Sequence, residues 1–207
     1  MGITDTKQKI LEASLQLFNE NGINNVRLQQ IADETGISVG NLAYHFNNKE
    51  AITESIIAQV IASLHELLKQ YGKYESLQDI DFFFKEFYKL CAQYRFFNFD
   101  ILEIKRNFPN AYESLSPLFN KVKLQLERRF ELMISQRLMP KETNIKYIAS
   151  NTWLFMFFIP AEGQLNGKSP GSENLYRRRL WEYILLHFTA KGKTEFGSAV
   201  EPEFAGR

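Results

Sequence analysis

Apolar residues recur three and four positions apart along most of this chain, and nowhere does a sustained period-two alternation sit between Asn-Gly or Asp-Gly turns. A chain patterned in this way buries helical stripes, so the expected fold is all-α, with about nine helices set off by cap and stop signals. The first is expected to open at Asp5 with Gln8, to carry Ile10, Ala13, Ser14, Leu17 and Phe18 on one face, and to stop at Gly22. A second runs from about Leu28 to Thr35; Gly36 breaks it, and Ser38 caps a short third helix over residues 39–46. Asn47 with Glu50 opens a fourth, whose stripe Ile52, Ile56, Val60, Leu64 and Leu67 persists to about residue 71. Ser76 with Asp79 opens a fifth over residues 77–97, and a sixth covers 99–107, because Pro109 disfavours helix just before it. Ser116-Pro117 signals a seventh reaching about residue 139, an eighth covers 144–159, and a ninth covers 172–191 after a Pro/Gly/Ser-rich loop. Residues beyond 193 lose periodicity and read as a disordered tail.

Composition narrows the classes open to such a chain. With 44% hydrophobic and 14% aromatic residues over 207 positions there is ample material for a core. The net charge of +1 gives no global hint of a polyanionic partner, so any nucleic-acid binding has to be argued locally. A single cysteine, Cys91, forms no internal disulfide, and three histidines with no Cys/His spacing of the zinc type imply neither a metal nor a cofactor. The polar N-terminus and the short apolar run at 153–159 imply a cytoplasmic protein with no membrane partner. No Ser/His/Asp or Cys/His constellation is visible and no residue is assigned a catalytic role, so an enzyme is not expected.

Local chemistry concentrates in residues 31–42. Ala32 is small enough for two helices to approach, Gly36 permits a left-handed turn, and Ile37 with Leu42 can lock a second helix against the first. These are the requirements of a helix-turn-helix, whose second helix offers its N-terminal residues to the major groove. The same spacing also occurs in ordinary helical bundles.

The wider segment is more specific. Ile10-Leu11-Glu12-Ala13 with Phe18, Asn21-Gly22, Ile31-Ala32 with Gly36-Ile37-Ser38, and Gly40-Asn41-Leu42-Ala43-Tyr44-His45-Phe46 with Lys49-Glu50 resemble the N-terminal domain of the TetR family of transcriptional regulators over residues 8–57. The resemblance implies a DNA-binding domain at residues 1–48 and an effector-binding and dimerisation domain at 49–192, with 193–207 as the tail. It implies a probe for double-stranded operator DNA built from Gln29, Ser38, Val39, Gly40, Asn41 and Tyr44, with His45 near the backbone and Lys49 on a phosphate. Tyr44 could instead pack on the first helix, His45 could serve as a cap or core-edge residue, and Lys49 could be a solvated charge. Where the family usually carries Thr or Ser at the start of the second helix this chain has Arg27, which cannot accept a hydrogen bond but can grip phosphate. Ala43 stands where many members have tyrosine. The first fifty residues hold Lys7, Lys9, Arg27 and Lys49 against six acids, a net −2, so a basic footprint is missing. An enzyme or stand-alone carrier built on the helical domain is the competing class, and a dimeric interaction module that no longer binds DNA is a third.

Beyond residue 49 the resemblance implies a pocket for a mainly apolar small-molecule effector, with His65, Phe84, Phe87, Tyr88, Tyr94 and Glu103 as its candidate lining. An aromatic stripe at helical spacing is equally the signature of plain core. The run at 153–159 is apolar nearly all round, as a helix covered on every side must be. Members of the family use their last two helices to form a four-helix bundle between two chains, which assigns Trp153, Phe157, Leu180, Ile184 and His187 to a homodimer interface; full burial within one chain is the alternative.

Overall fold

The computed structural model describes residues 3–71, 76–165 and 171–205. Among these there is no strand, and the helices are α1 (Ile3–Asn21), α2 (Leu28–Thr35), α3 (Val39–His45), α4 (Lys49–Tyr71), α5 (Leu77–Gln93), α6 (Arg95–Phe99), α7 (Ile101–Asn107), α8 (Pro109–Ser135), α9 (Ile145–Leu165), α10 (Glu173–Leu185), α11 (Ala190–Ala199) and α12 (Pro202–Ala205). Twelve helices replace the expected nine or so, each difference having a local cause. Tyr94 and Asp100 leave helical geometry, at φ −114°, ψ 52° and φ −90°, ψ 11°, so one apolar run becomes α5, α6 and α7. Helix α7 ends at Asn107, before Pro109, as expected, but Pro109 also begins a helix: a first-position proline has no N–H to lose, so α8 starts well before Ser116 and Pro117 falls inside it. Pro160 likewise lies inside α9. Its missing N–H would strand the carbonyl four residues back, and the Tyr176 hydroxyl donates to that Met156 carbonyl at 3.1 Å.

Several caps match the sequence signals. Ser76 and Asp79 form a reciprocal capping box, each side chain accepting from the other's backbone N–H at 3.1 and 3.0 Å. Asn48, rather than Asn47, caps α4 by accepting from the Ala51 N–H at 2.8 Å. Ser172 caps α10 through the Leu175 N–H at 3.2 Å.

The segment expected to be a disordered tail is instead α11 and α12. Thr189 caps α11 by accepting from the Gly192 N–H at 3.1 Å, and Phe196 and Val200 are buried. The cause lies in contacts distant in sequence: the Thr189 N–H donates to the Leu138 carbonyl at 2.8 Å, docking α11 against the end of α8. The approach is so close that a Cβ on Gly192 would stand 2.4 Å from the Leu138 oxygen. Gly192→Ala is therefore expected to cost about 1–3 kcal/mol, the range for overpacking. Urea unfolding checks this; an unchanged midpoint would mean that α11 does not dock here.

The chain divides into two compact units, Met1–Ser63 with Tyr94–Leu115, and Leu64–Gln93 with Ser116–Arg207. They are not the consecutive stretches 1–48 and 49–192, because α6 folds back onto α1 and α7 follows it into the first unit. Phe96 meets Phe18 edge-on at 5.9 Å, and its N–H donates to Asn19 Oδ1 at 3.0 Å. The first unit's core is Ile10, Phe18, Ile31, Leu42, Ile52, Ile56, Phe96 and Ile104. That of the second is built from Phe83, Phe84, Leu126, Phe130, Tyr176, Leu180, Trp181 and Ile184. Helix α4 is, by length and composition, apolar enough to cross a membrane, yet Ile52, Ile56, Ile57, Val60 and Leu64 are buried within the chain, the pattern of a core helix.

Candidate nucleic-acid interface

Helices α2 and α3 meet at Gly36, which adopts φ 69°, ψ 29°, the left-handed conformation that a side chain disfavours. Its N–H donates to the Asp33 carbonyl at 3.1 Å and the Ile37 N–H to that of Ala32 at 3.0 Å, closing α2. Ala32 is fully buried, as the close helix approach requires, and Leu42 is buried at the centre of α3. The Ser38 hydroxyl accepts from the Asn41 N–H at 3.1 Å and so starts α3. This leaves Ser38, Gly40, Asn41 and Ala43 exposed, with Val39 and His45 half-buried. Tyr44 is 74% exposed and touches His45 edge-on at 5.3 Å, so it does not pack on α1. His45 also borders a hollow with Lys7, Phe46, Asn47, Ala51 and Glu54.

The other expected contacts fall as follows. Gln29 is exposed and donates to Asp33 Oδ1 at 2.7 Å. Arg27 precedes α2 and is exposed; its backbone N–H donates to Gln30 Oε1 at 2.8 Å, while its guanidinium, having no acceptor, leaves the rest of the cap unmade. Lys49 is engaged within the protein: its ammonium donates to the carbonyls of Ile23 and Val26 at 2.9 and 3.0 Å.

Of the candidate effector contacts, His65 is exposed on α4 and lines no core. It lies one residue past Leu64 on the helix, enough of a turn to carry it off the buried stripe. Phe84 and Phe87 are buried, edge-on to Trp181 at 5.7 Å and to Trp153 at 5.9 Å respectively. Tyr88 donates its hydroxyl to the Gly171 carbonyl, and burial, with help from Glu173 and Cys91, raises its pKa. These residues belong to the second unit, whereas buried Tyr94 and half-buried Glu103, paired with Arg106 at 3.0 Å, belong to the first. A hollow of about 270 Å³ in the second unit is bordered by Gln78, Asp81, Phe82, Lys85, Arg177 and Glu203, and by none of those six candidates.

The expected dimer residues need correction. Phe157, Leu180 and Ile184 are buried inside their own chain, and Trp153 is half-buried against Phe119 at 5.1 Å and Phe157 at 5.4 Å. His187 is half-buried beside Tyr183 at 5.4 Å, and burial lowers its pKa. The apolar side chains that do face outward are Tyr147, Leu154, Phe155 and Phe158 on α9, Leu175 on α10 and Leu186 just past its end. An all-apolar run does not reveal its phase; the repeat Ile148, Thr152, Met156, all buried, was the signal for the inward side.

Two polar clusters had no signature in the sequence. Asp81, Arg177 and Trp181 converge in the second unit, Arg177 Nε donating to Asp81 Oδ1 at 3.0 Å and Trp181 Nε1 to the same oxygen at 2.9 Å. Burial alone would lower the Arg177 pKa; the hydrogen bond and charge of Asp81, with Glu173 and Glu203, outweigh it and leave the pKa raised. In the first unit Asp100 Oδ2 accepts from the Ile23 N–H at 2.8 Å. Among the described residues, no group of His, Cys, Asp and Glu is arranged to hold a metal ion.

Two helices hinged at a left-handed glycine, with an exposed amide and phenol on the second, define a helix-turn-helix DNA-binding protein. The chain belongs to the TetR family of transcriptional regulators: a family model described as bacterial regulatory proteins, tetR family, matches residues 10–56, and one described as bacterial transcriptional repressor matches 41–196. It is 30% identical over 109 residues to the HTH-type transcriptional regulator RutR of Escherichia coli, an alignment covering 53% of this chain and 45% of that one. The chain thus matches less than half the length of that relative. It is 39% identical to the regulator UidR of Escherichia coli over 54 residues, covering 26% and 28% of the two chains. Among solved structures, a TetR-family regulator from Marinobacter aquaeolei superposes with a TM-score of 0.78 at 21% identity, covering 97% and 98% of the chains. CprB from S. coelicolor superposes at 0.75 and 15%, covering all of both. These likenesses establish the all-α fold. The family consists of transcriptional regulators, which are not enzymes.

Proposed function

We propose that this regulator is a cytoplasmic homodimeric repressor that binds an inverted-repeat operator and is released by a mainly apolar effector. The observation that carries it is the outward display of Asn41 and Tyr44 on α3, held there by buried Leu42 and the Ser38 cap. Such side chains reach base edges or sugars, while exposed Arg27 and Gln29 flank them toward phosphate. The −2 charge of residues 1–50 implies few ionic phosphate contacts and a modest dependence on salt. Description of the longer family model as a transcriptional repressor supports the sign of regulation. Helix α4 contributes residues to both units, so a ligand favouring one setting of that helix would alter operator occupancy; a coupling of ~1–3 kcal/mol corresponds to roughly 5- to 150-fold. Phe84, Phe87 and Tyr88 are the residues proposed to meet the ligand.

Selection of duplexes from a random pool, followed by anisotropy titration, tests the DNA reading. Asn41→Ala and Tyr44→Ala should each weaken the selected duplex by about 1–3 kcal/mol while leaving binding to scrambled DNA unchanged. Wild-type discrimination in both variants would remove α3 from the role of reading helix.

A further inference from the structure

The turn between α1 and α2 is gripped from two sides by residues far from it in sequence. Asp100, between α6 and α7, accepts from the Ile23 N–H at 2.8 Å. Lys49, the first residue of α4, donates to the Ile23 carbonyl at 2.9 Å and to that of Val26 at 3.0 Å. An anion therefore meets a backbone donor and a cation meets two acceptors within four residues. The turn begins at Gly22, with φ +78°, where a Cβ would lie 3.4 Å from Asp100 Oδ2. Ile23 and Val26 are sunk into the core, and Arg27, the next residue, is the point from which α2 departs.

We infer that Asp100 and Lys49 are positioning residues for operator binding, a two-sided clamp that sets where α2 begins and so where α3 is presented. The inference rests on α3 being the reading helix. Lys49 then acts through the turn, two of its three ammonium hydrogens being committed to carbonyls, and not as a free charge on phosphate. For Asp100 the clamp and plain electrostatics have opposite signs. Removing an acidic charge should tighten binding to a polyanion, whereas removing a clamp should loosen it. Burial raises the Asp100 pKa against the pull of the Ile23 N–H, with Glu103 adding to the rise, so an amide offering the same acceptor without the charge should fold at least as well.

The test uses the full chain and a duplex selected by the wild type, titrated by anisotropy at several salt concentrations. Asp100→Ala is expected to bind roughly tenfold more weakly and Asp100→Asn to stay within about twofold of wild type. Lys49→Met should lose a similar factor with an unchanged salt slope. Equal or tighter binding by Asp100→Ala, or a slope reduced by about one in Lys49→Met, overturns the clamp. Amide exchange at Ile23 provides a readout independent of DNA: protection must fall in Asp100→Ala and persist in Asp100→Asn, and equal protection in the two also overturns it. A wild type that selects no duplex defeats the reading-helix proposal, and the exchange measurement still decides the clamp.

Discussion

Replacing Phe155 and Phe158 together with glutamate should yield a folded monomer that binds operator at least about a hundredfold more weakly, the lower end of what joining two binding heads contributes. Both rings face outward on α9, at 40% and 50% exposure, in line with Leu154 and Tyr147, and Leu175 on α10 and Leu186 just past its end are exposed as well. Phe155 is held by an edge contact to Tyr183 at 4.9 Å, whose hydroxyl accepts from Asn151 at 3.1 Å. A face with this many large apolar side chains is unusual on a monomer, and a two-fold axis would lay each patch against its own copy. Glutamates on that face would meet each other in a desolvated interface. Sedimentation and circular dichroism separate the outcomes: a dimer of wild-type mass sinks the assignment. Charges at Phe157 and Ile184 address a different question. Those residues are 5% and 0% exposed, so their replacement is expected to unfold the chain and would not report on association.

Arg177→Ala should lower stability by about 3–5 kcal/mol, because it strands a buried carboxylate. Asp81 and Arg177 are 4% and 3% exposed and face each other through two contacts, and the same carboxylate accepts from Trp181 at 2.9 Å. The guanidinium also stands over the Phe204 ring at 5.0 Å, which fastens α12 as well. Losing the cation leaves Asp81 with one neutral donor where it had a charged partner. Replacing both members with apolar or neutral groups of similar size, as in Asp81→Asn with Arg177→Met, should recover much of the loss. Urea unfolding of the two single variants and the double checks this. A midpoint for Arg177→Ala within experimental error of wild type would show that water reaches the pair.

The reading head was legible because its determinants are local. A glycine between two amphipathic stretches, Ser38 three residues before Asn41, and Leu42 across from Ala32 constrain the backbone over a dozen residues, and the structure forms that turn with Gly36 left-handed. The exposure of Tyr44 was open in the sequence and follows from the phase that Leu42 imposes on so short a helix. Tail and pocket were less legible. Residues 193–205 have weak periodicity because their helices are held less by a continuous stripe than by Gly192 against Leu138 and Phe196 beside Trp181 at 5.1 Å.

By itself the sequence determined an all-α chain with a helix-turn-helix near its start, since periodicity, caps and the left-handed glycine act over distances of a few residues. Tertiary structure alone decided three things: which side of the all-apolar α9 faces inward, that α6 and α7 join the reading head, and which charges pair across long stretches of chain. Asp100 reaches Ile23 and Arg177 reaches Asp81 across 77 and 96 positions, and Lys49 turns from the solvent toward backbone carbonyls. A buried or half-buried charge takes whatever partner the packed chain brings within hydrogen-bonding distance, and nothing in the residues next to it specifies which partner that is.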